Sequence, residues 1–271
     1  MALCVLVTRP EPGAARTAKK LVAMGFEPIL LPLTQTIPLP VAVKELAGQG
    51  VALPPPLTPP HKGEGDSEAS TPPSPLWGGV RGGGMAVAVT SANAIRHAPK
   101  ELLAALAHLP CHAVGGKTAL AAREAGFVSV HEGPGDAAGL AAGMAAHFAA
   151  KRVVYLCGKV RFPGFEQRLA AAEIEVLPVE TYDTLPVDYG NEAVVERLGG
   201  RPVDAVLLYS AKAAAAMLAL GGQAALAHLF ADATLLCLSG RVAAAFGPAG
   251  GDKIRVSQQP TEEALFETLP A

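Results

Sequence analysis

Ala86-Val87-Ala88-Val89-Thr90-Ser91-Ala92-Asn93-Ala94 returns in altered form as Ala205-Val206-Leu207-Leu208-Tyr209-Ser210-Ala211-Lys212-Ala213, with Ser91 aligned to Ser210. Each copy is a short apolar run, as expected of a strand buried on both faces. It passes through a serine into an alanine-rich stretch that favours helix. At such a strand-to-helix junction, backbone N–H groups and a hydroxyl can receive an anion. Two junctions of this kind predict two domains that face one ligand.

The repetition extends along the chain. Val5-Leu6-Val7-Thr8-Arg9 resembles the run Val153 to Gly158, and Thr34-Gln35-Thr36-Ile37-Pro38 parallels Tyr182-Asp183-Thr184-Leu185-Pro186. Ala113-Val114-Gly115-Gly116-Lys117-Thr118-Ala119 pairs with Cys237-Leu238-Ser239-Gly240-Arg241-Val242-Ala243. Gly135 to Leu140 pairs with Pro260 to Leu265, where Asp136 and Thr261 are placed as helix N-caps. The offset falls from about 146–148 residues in the early pairs to about 119–125 in the later ones. The first copy therefore carries an insertion between residues 38 and 86. Residues 54–84, rich in Pro, Gly and Ser with almost no apolar period, mark it independently. Pro75 to Arg81 can be read, with permitted codons, as the frame-shifted reverse complement of Leu57 to Gly63, the mark of an inverted-repeat DNA element.

Half of the 271 residues are apolar, enough for two domains with their own cores. Strand-like runs alternate with alanine-rich stretches at Ala14 to Met24, Ala119 to Gly126, Ala137 to Ala149 and Ala213 to Leu218. That alternation predicts an α/β fold of two flavodoxin-like parallel-sheet domains with helices on both faces. No long apolar run and no charged leader precede the first strand, so a soluble cytoplasmic protein is expected, with no membrane partner. The four cysteines stand singly, as core residues of a reducing compartment would. No metal site is expected, because the histidines, among them His97, His108, His112 and His131, lack ligand spacing and are read as surface or helix-face residues. The net charge of −2 argues against a nucleic-acid partner. Arg9, Arg96, Lys117, Lys159, Arg161, Lys212 and Arg241 nevertheless all fall at or just past predicted strand ends, where open α/β sheets bind ligands. GxGxxG, GxxxxGK[ST] and GxSxG motifs are absent. What remains is a set of hydroxyls, backbone amides, cations and tyrosines suited to a polyanionic carboxylate.

Leu6-Val7-Thr8-Arg9-Pro10, Thr90-Ser91-Ala92-Asn93-Ala94, Val114 to Ala119, Tyr155-Leu156-Cys157-Gly158-Lys159-Val160-Arg161 and Glu180-Thr181-Tyr182-Asp183-Thr184 together resemble the uroporphyrinogen-III synthase family over the whole chain apart from residues 54–84. The resemblance implies two α/β domains joined by a two-stranded β-ribbon. One domain would comprise residues 1–33 and 187–271, the other 39–178, with the hinge ribbon at 34–38 and 179–186. It implies cyclisation of hydroxymethylbilane, a linear tetrapyrrole rich in carboxylates, supplied by hydroxymethylbilane synthase. Ring D inverts through a spiro intermediate in an interdomain cleft, and no cofactor takes part. A hundredfold preference for the inverted isomer needs only about 2.7 kcal/mol of differential transition-state stabilisation.

By the same resemblance Tyr182 is the candidate catalytic residue, hydrogen-bonding or protonating the departing hydroxyl; packing of the hinge is its alternative role. Arg9, Thr90, Ser91, Asn93, Gly116, Lys117, Thr118, Gly158, Lys159, Arg161, Ser210, Lys212, Ser239 and Arg241 are candidates to bind substrate carboxylates. The hydroxyl residues among them could equally be helix caps. Arg241-Val242 departs from the hydroxyl residue that relatives often carry after that glycine. The competing function is a non-catalytic two-domain binder of a small polyanion. A monomer is expected, because no extended apolar helix face is left over.

Overall fold

A computed structural model describes residues 2–48, 84–147, 152–161 and 163–270. The low-complexity insert read at 54–84 lies outside these residues, except for Gly84. The chain divides into two compact units, one of Met1–Ile37 with Thr184–Ala271 and one of Pro38–Asp183.

The chain begins in the first unit with β1 (Cys4–Val7), α1 (Gly13–Ala23), β2 (Glu27–Leu30) and β3 (Thr34–Pro38). It continues through α2 (Val43–Gly48), β4 (Met85–Val89), α3 (Ala92–Arg96), α4 (Lys100–Leu106), β5 (Cys111–Ala113), α5 (Gly116–Glu124), β6 (Val130–Glu132), α6 (Ala137–His147), β7 (Arg152–Gly158), α7 (Gly164–Ala171) and β8 (Glu175–Pro186). It closes with α8 (Asn191–Leu198), β9 (Ala205–Leu208), α9 (Ala211–Gly221), α10 (Ala227–Phe230), β10 (Thr234–Cys237), α11 (Gly240–Ala243), a 3-10 stretch at Ala244–Lys253, β11 (Ile254–Val256) and α12 (Glu262–Phe266).

In the first unit the sheet order is β11-β10-β9-β1-β2, with parallel pairing throughout. β1 and β9 lie in the interior of the sheet and every residue in them is buried, which is why they read as unbroken apolar runs rather than alternations. Their side chains divide by parity. Cys4, Leu6, Val206 and Leu208 pack on one face with Val194 and Leu198 of α8 and Met217 and Leu220 of α9. Val5, Val7, Ala205 and Leu207 pack on the other with Ala14 and Leu21 of α1 and Leu265 and Phe266 of α12. Helices thus cover both faces. Gly199 ends α8 at a positive φ of 59°, the left-handed cap that glycine adopts without a Cβ penalty.

In the second unit the order is β8-β7-β4-β5-β6, with each of these pairings parallel. Val87, Val89, Val154 and Leu156 meet Ile95, Leu102 and Leu106 on one face. Ala88, Val153, Tyr155 and Cys157 meet Leu140, Met144, Phe165 and Leu169 on the other. β3 lies beside β8 at the end of this sheet, flanked by hydrogen bonds from Leu39 N to Thr181 O and from Val187 N to Leu33 O, each 2.9–3.0 Å.

The chain is an α/β protein whose two sheets, parallel from β11 to β2 and from β8 to β6, are each sandwiched between helices. All four cysteines are buried and unbridged. His112 and His131 occupy directly paired positions on β5 and β6, where their rings stack 4.8 Å apart; His131 is exposed, as a surface residue is, whereas His112 is half-buried on a strand rather than on the surface or a helix face. Among the described residues no helix is long and apolar enough to cross a membrane.

Candidate functional site

Parallel pairing in the order β8-β7-β4-β5 brings the carboxyl ends of β7, β4 and β5, and the part of β8 beside the end of β7, to one edge of the second unit's sheet. Tyr182, Gly158 with Lys159, Thr90 with Ser91, and Gly116 with Lys117 and Thr118 lie side by side there, although they are spread over more than ninety residues. Open α/β sheets bind ligands at such an edge.

The hydroxyls at this edge are differently engaged. Ser91 has extended backbone angles and caps α3, its Oγ accepting the Asn93 N–H at 3.2 Å. Thr90 Oγ1 and Tyr155 Oη share a hydrogen bond of 2.7 Å. Tyr155 is buried in β7, and burial pushes its phenol up to about 12 against the pull of the Thr90 bond, so it stays protonated. Gly116 and Lys117 open α5 and are exposed, whereas Thr118 turns into the fold and is buried. Gly115 and Gly135 meet backbone to backbone, since a Cβ on Gly115 would come within 3.1 Å of the Gly135 Cα. The loops after β5 and β6 thereby close on each other.

Tyr182 is half-buried, its ring against the Gly158 backbone on one side and tilted to the His97 ring at 6.2 Å on another. His97 ends α3; burial, reinforced by the nearby Arg96 charge, holds its imidazole below the ordinary histidine value. Lys159 donates its backbone N–H to the Tyr182 carbonyl at 2.9 Å and leaves its side chain 61% exposed, 3.9 Å from Asp183. Arg161 turns inward instead of toward solvent. Its Nε donates to Glu166 and its Nη1 to Glu180 at 2.8 Å, an ion triad linking the loop after β7 to α7 and β8.

In the first unit, β10-β9-β1 place Ser239, Ser210 and Arg9 along the corresponding edge. Ser210 caps α9, its Oγ accepting the Ala213 N–H at 3.1 Å. Ser239 stands at the N-cap of α11 without a side-chain capping bond. Arg241, in the first turn of α11, is exposed. Lys212 donates from Nζ to the Thr184 carbonyl of β8. Arg9 is held internally: Nη1 donates to Glu262 at 2.9 Å while the guanidinium lies 4.4 Å from the centre of the Tyr209 ring. Glu262 also accepts from Thr17, Lys20 and Tyr209. Burial alone would raise its pKa, but the bonds from Lys20, Thr17 and Tyr209 prevail and bring it down to about 2.

The sequence thus reveals which residues reach the strand ends but not the partners that hold them. Glu262, Tyr209, Glu180 and His97 enter the two edges without having been read as site residues. Glu262 had a partial signal, an acidic residue directly after the Thr261 cap, whose Oγ1 accepts the Ala264 N–H at 3.3 Å. Among the described residues no group of three metal-ligating side chains forms.

The family described as uroporphyrinogen-III synthase HemD matches residues 82–267. No curated protein matches the chain. Solved structures share the fold. A uroporphyrinogen-III synthetase from Helicobacter pylori 26695 aligns with a TM-score of 0.57 at 14% identity, over 98% of this chain and 97% of that one. A mutant uroporphyrinogen III synthase from the extremely thermophilic bacterium Thermus thermophilus aligns with a TM-score of 0.50 at 21% identity, over 98% and 95%. The family match spans well over half of the chain and takes in both the edge around Tyr182 and the loops at Ser210 and Ser239: this protein belongs to the uroporphyrinogen-III synthase family.

Proposed function

We propose that the carboxyl edges of both sheets bind hydroxymethylbilane and that the protein closes it to uroporphyrinogen III through a spiro intermediate. The observation that carries this reading is the family match over residues 82–267. The polar edge assembled from β8, β7, β4 and β5 supports it.

The chemistry divides into departure and ring closure. The hydroxyl on the terminal methylene leaves with a proton as water, and electron donation from the pyrrole nitrogen gives an electrophilic methylene pyrrolenine. Ring D attacks through its substituted α-carbon, forming the spiro centre. The bond from that carbon to the neighbouring bridge then breaks and re-forms at the free α-position. Loss of the ring proton restores aromaticity with ring D inverted. Tyr182 donates a hydrogen bond to the departing hydroxyl. Carboxylate side arms bind at Thr90, Ser91 and Asn93, at Gly116, Lys117 and Thr118, and at Lys159. Ser210, Lys212, Ser239 and Arg241 serve in the first unit. Arg9 and Arg161, each already paired with carboxylates, hold the loops that present these groups. Orientation of a flexible substrate is the main contribution, since direct closure to the symmetric isomer competes by a similar bond-forming step.

We further propose that the two units descend from one duplicated unit. The order β11-β10-β9-β1-β2 coincides with β6-β5-β4-β7-β8 when β1 is paired with β7 and β9 with β4. The connectors at 34–38 and 179–186 act as the hinge ribbon. The protein works as a cytoplasmic monomer on hydroxymethylbilane released by hydroxymethylbilane synthase; its four buried, unbridged cysteines support a reducing compartment. Incubation with freshly generated hydroxymethylbilane, followed by separation of the isomers, tests the reading. Predominantly type III product supports catalysis; type I product alone, at the spontaneous rate, leaves only a polyanion binder.

A further inference from the structure

β7 and β8 run in regular parallel register from Arg152 opposite Glu175 to Cys157 opposite Glu180, and then the register slips, setting Gly158 opposite Tyr182. Thr181 is the extra residue, a bulge of the kind that redirects the next side chain. It is fully buried, and its Oγ1 donates to the Ala94 carbonyl at 2.8 Å and lies 3.4 Å from the Cys157 carbonyl. A buried hydroxyl bonded in this way fixes the bulge in place. The slip sends the Tyr182 ring across the Gly158 backbone. A Cβ on residue 158 would fall 2.7 Å from Tyr182 Cζ and 3.0 Å from its Oη, closer than non-bonded atoms approach.

The glycine is not required by its own backbone, whose φ is not positive. It is required by the ring. The backbone N–H of the next residue, Lys159, bonds the Tyr182 carbonyl, and the His97 ring borders the phenol from α3. Arg161 ties the same loop to Glu180, two residues before Tyr182.

We infer that Gly158 is a positioning residue: with the Thr181 bulge it forms a seat that fixes where the Tyr182 phenol stands at the carboxyl edge of the sheet. This gives Gly158 a role other than contact with a substrate carboxylate, and its catalytic consequence rests on the proposed role of Tyr182. A methyl group at 158 must displace the ring, while the backbone can remain as it is. Small misplacements of a reacting group lower rates strongly, so Gly158→Ala is expected to reduce kcat about tenfold or more. KM should change less than kcat, because the defect lies in the phenol rather than in the carboxylate contacts.

The protein has four tyrosines, so labelling them with 13C at Cζ gives a small set of resonances in which Tyr182→Phe identifies the Tyr182 signal. Gly158→Ala should move that signal and leave Tyr189 and Tyr209 unmoved. His97→Gln, which removes the neighbouring ring without touching the backbone, should also shift it and serves if Gly158→Ala folds poorly. An unmoved Tyr182 signal in folded Gly158→Ala overturns the seat. Kinetics then separate the seat from the chemistry. If Tyr182 acts and Gly158 acts through it, Gly158→Ala lowers kcat in the parent but changes it by less than about twofold in the Tyr182→Phe background. An equal loss in both backgrounds overturns the positioning role. A shifted signal together with full activity of Tyr182→Phe removes Tyr182 from the mechanism while leaving the seat standing.

Discussion

The edge of the first unit and the edge of the second begin from aligned sequences and put them to different uses. Tyr209, aligned with Thr90, gives its hydroxyl to Glu262, and together with Arg9, Thr17 and Lys20 it fastens α12 to β1, α1 and β9. Thr90 instead bonds the Tyr155 phenol that rises from the core of β7. The first unit has turned a strand-end cation into an internal tie for its last helix. The second keeps half-buried Tyr182, exposed Lys117 and half-buried Ser91 and Asn93 at the edge. A cation after a strand is therefore a position, not yet a function, until its partner is known.

The largest effect expected from this contrast falls on the second unit. Tyr182→Phe should lower kcat by about a hundredfold while leaving thermal unfolding essentially unchanged, as loss of one positioned proton donor would. Turnover in a coupled assay, read beside a melting curve, checks it; unchanged turnover breaks the distinction between the two edges.

The corresponding change in the first unit should act on stability. Glu262→Gln is expected to cost about 2 kcal/mol near pH 7, because it removes a charge that a half-exposed lysine and a partly buried arginine share. The folded pKa of Glu262, about 2, lies below its unfolded value near 4.5. Its contribution is thus complete above pH 4.5 and is lost as pH falls from there toward 2. Denaturant titrations from neutral pH down to the folded pKa should show the parent losing this increment while Glu262→Gln stays flatter.

Ser91 sharpens the comparison within one residue. Ser91→Gly retains most helix-capping stability, a few tenths of a kcal/mol excepted, but removes the hydroxyl. A KM raised about fivefold with kcat nearly unchanged identifies binding by the hydroxyl; no change in KM leaves it as a cap alone. The smallest effect is expected at Lys117, exposed at the start of α5. Lys117→Ala should raise KM about twofold at low salt and less at high salt, as measured by initial rates across ionic strength.

Much of this organisation is legible in the sequence because it depends on local rules. The buried runs at 86–89 and 205–208 become central strands, and Ser91, Ser210, Asp136 and Thr261 all cap as their neighbours require. Helix α9 extends from Ala211 to Gly221, beyond the Ala213 to Leu218 read from composition, because alanine continues a helix until the following glycine ends it. The remainder depends on pairings remote in sequence. Nothing near Arg9 announces Glu262, and although Glu166 follows Arg161 closely, the second carboxylate, Glu180, comes from the next strand and is brought to it only by the fold. His112 and His131 stack only because β5 and β6 pair in that register. The slip at Thr181 is equally silent: Glu180-Thr181-Tyr182-Asp183 reads as an ordinary strand, and only its pairing with β7 shows the extra residue.

The most direct test of the whole account is the isomer ratio formed from hydroxymethylbilane by the purified protein. The account predicts uroporphyrinogen III as the main product, formed much faster than spontaneous closure, with the proportion of type I rising in Tyr182→Phe. Type I alone, at the rate seen without protein, would contradict it.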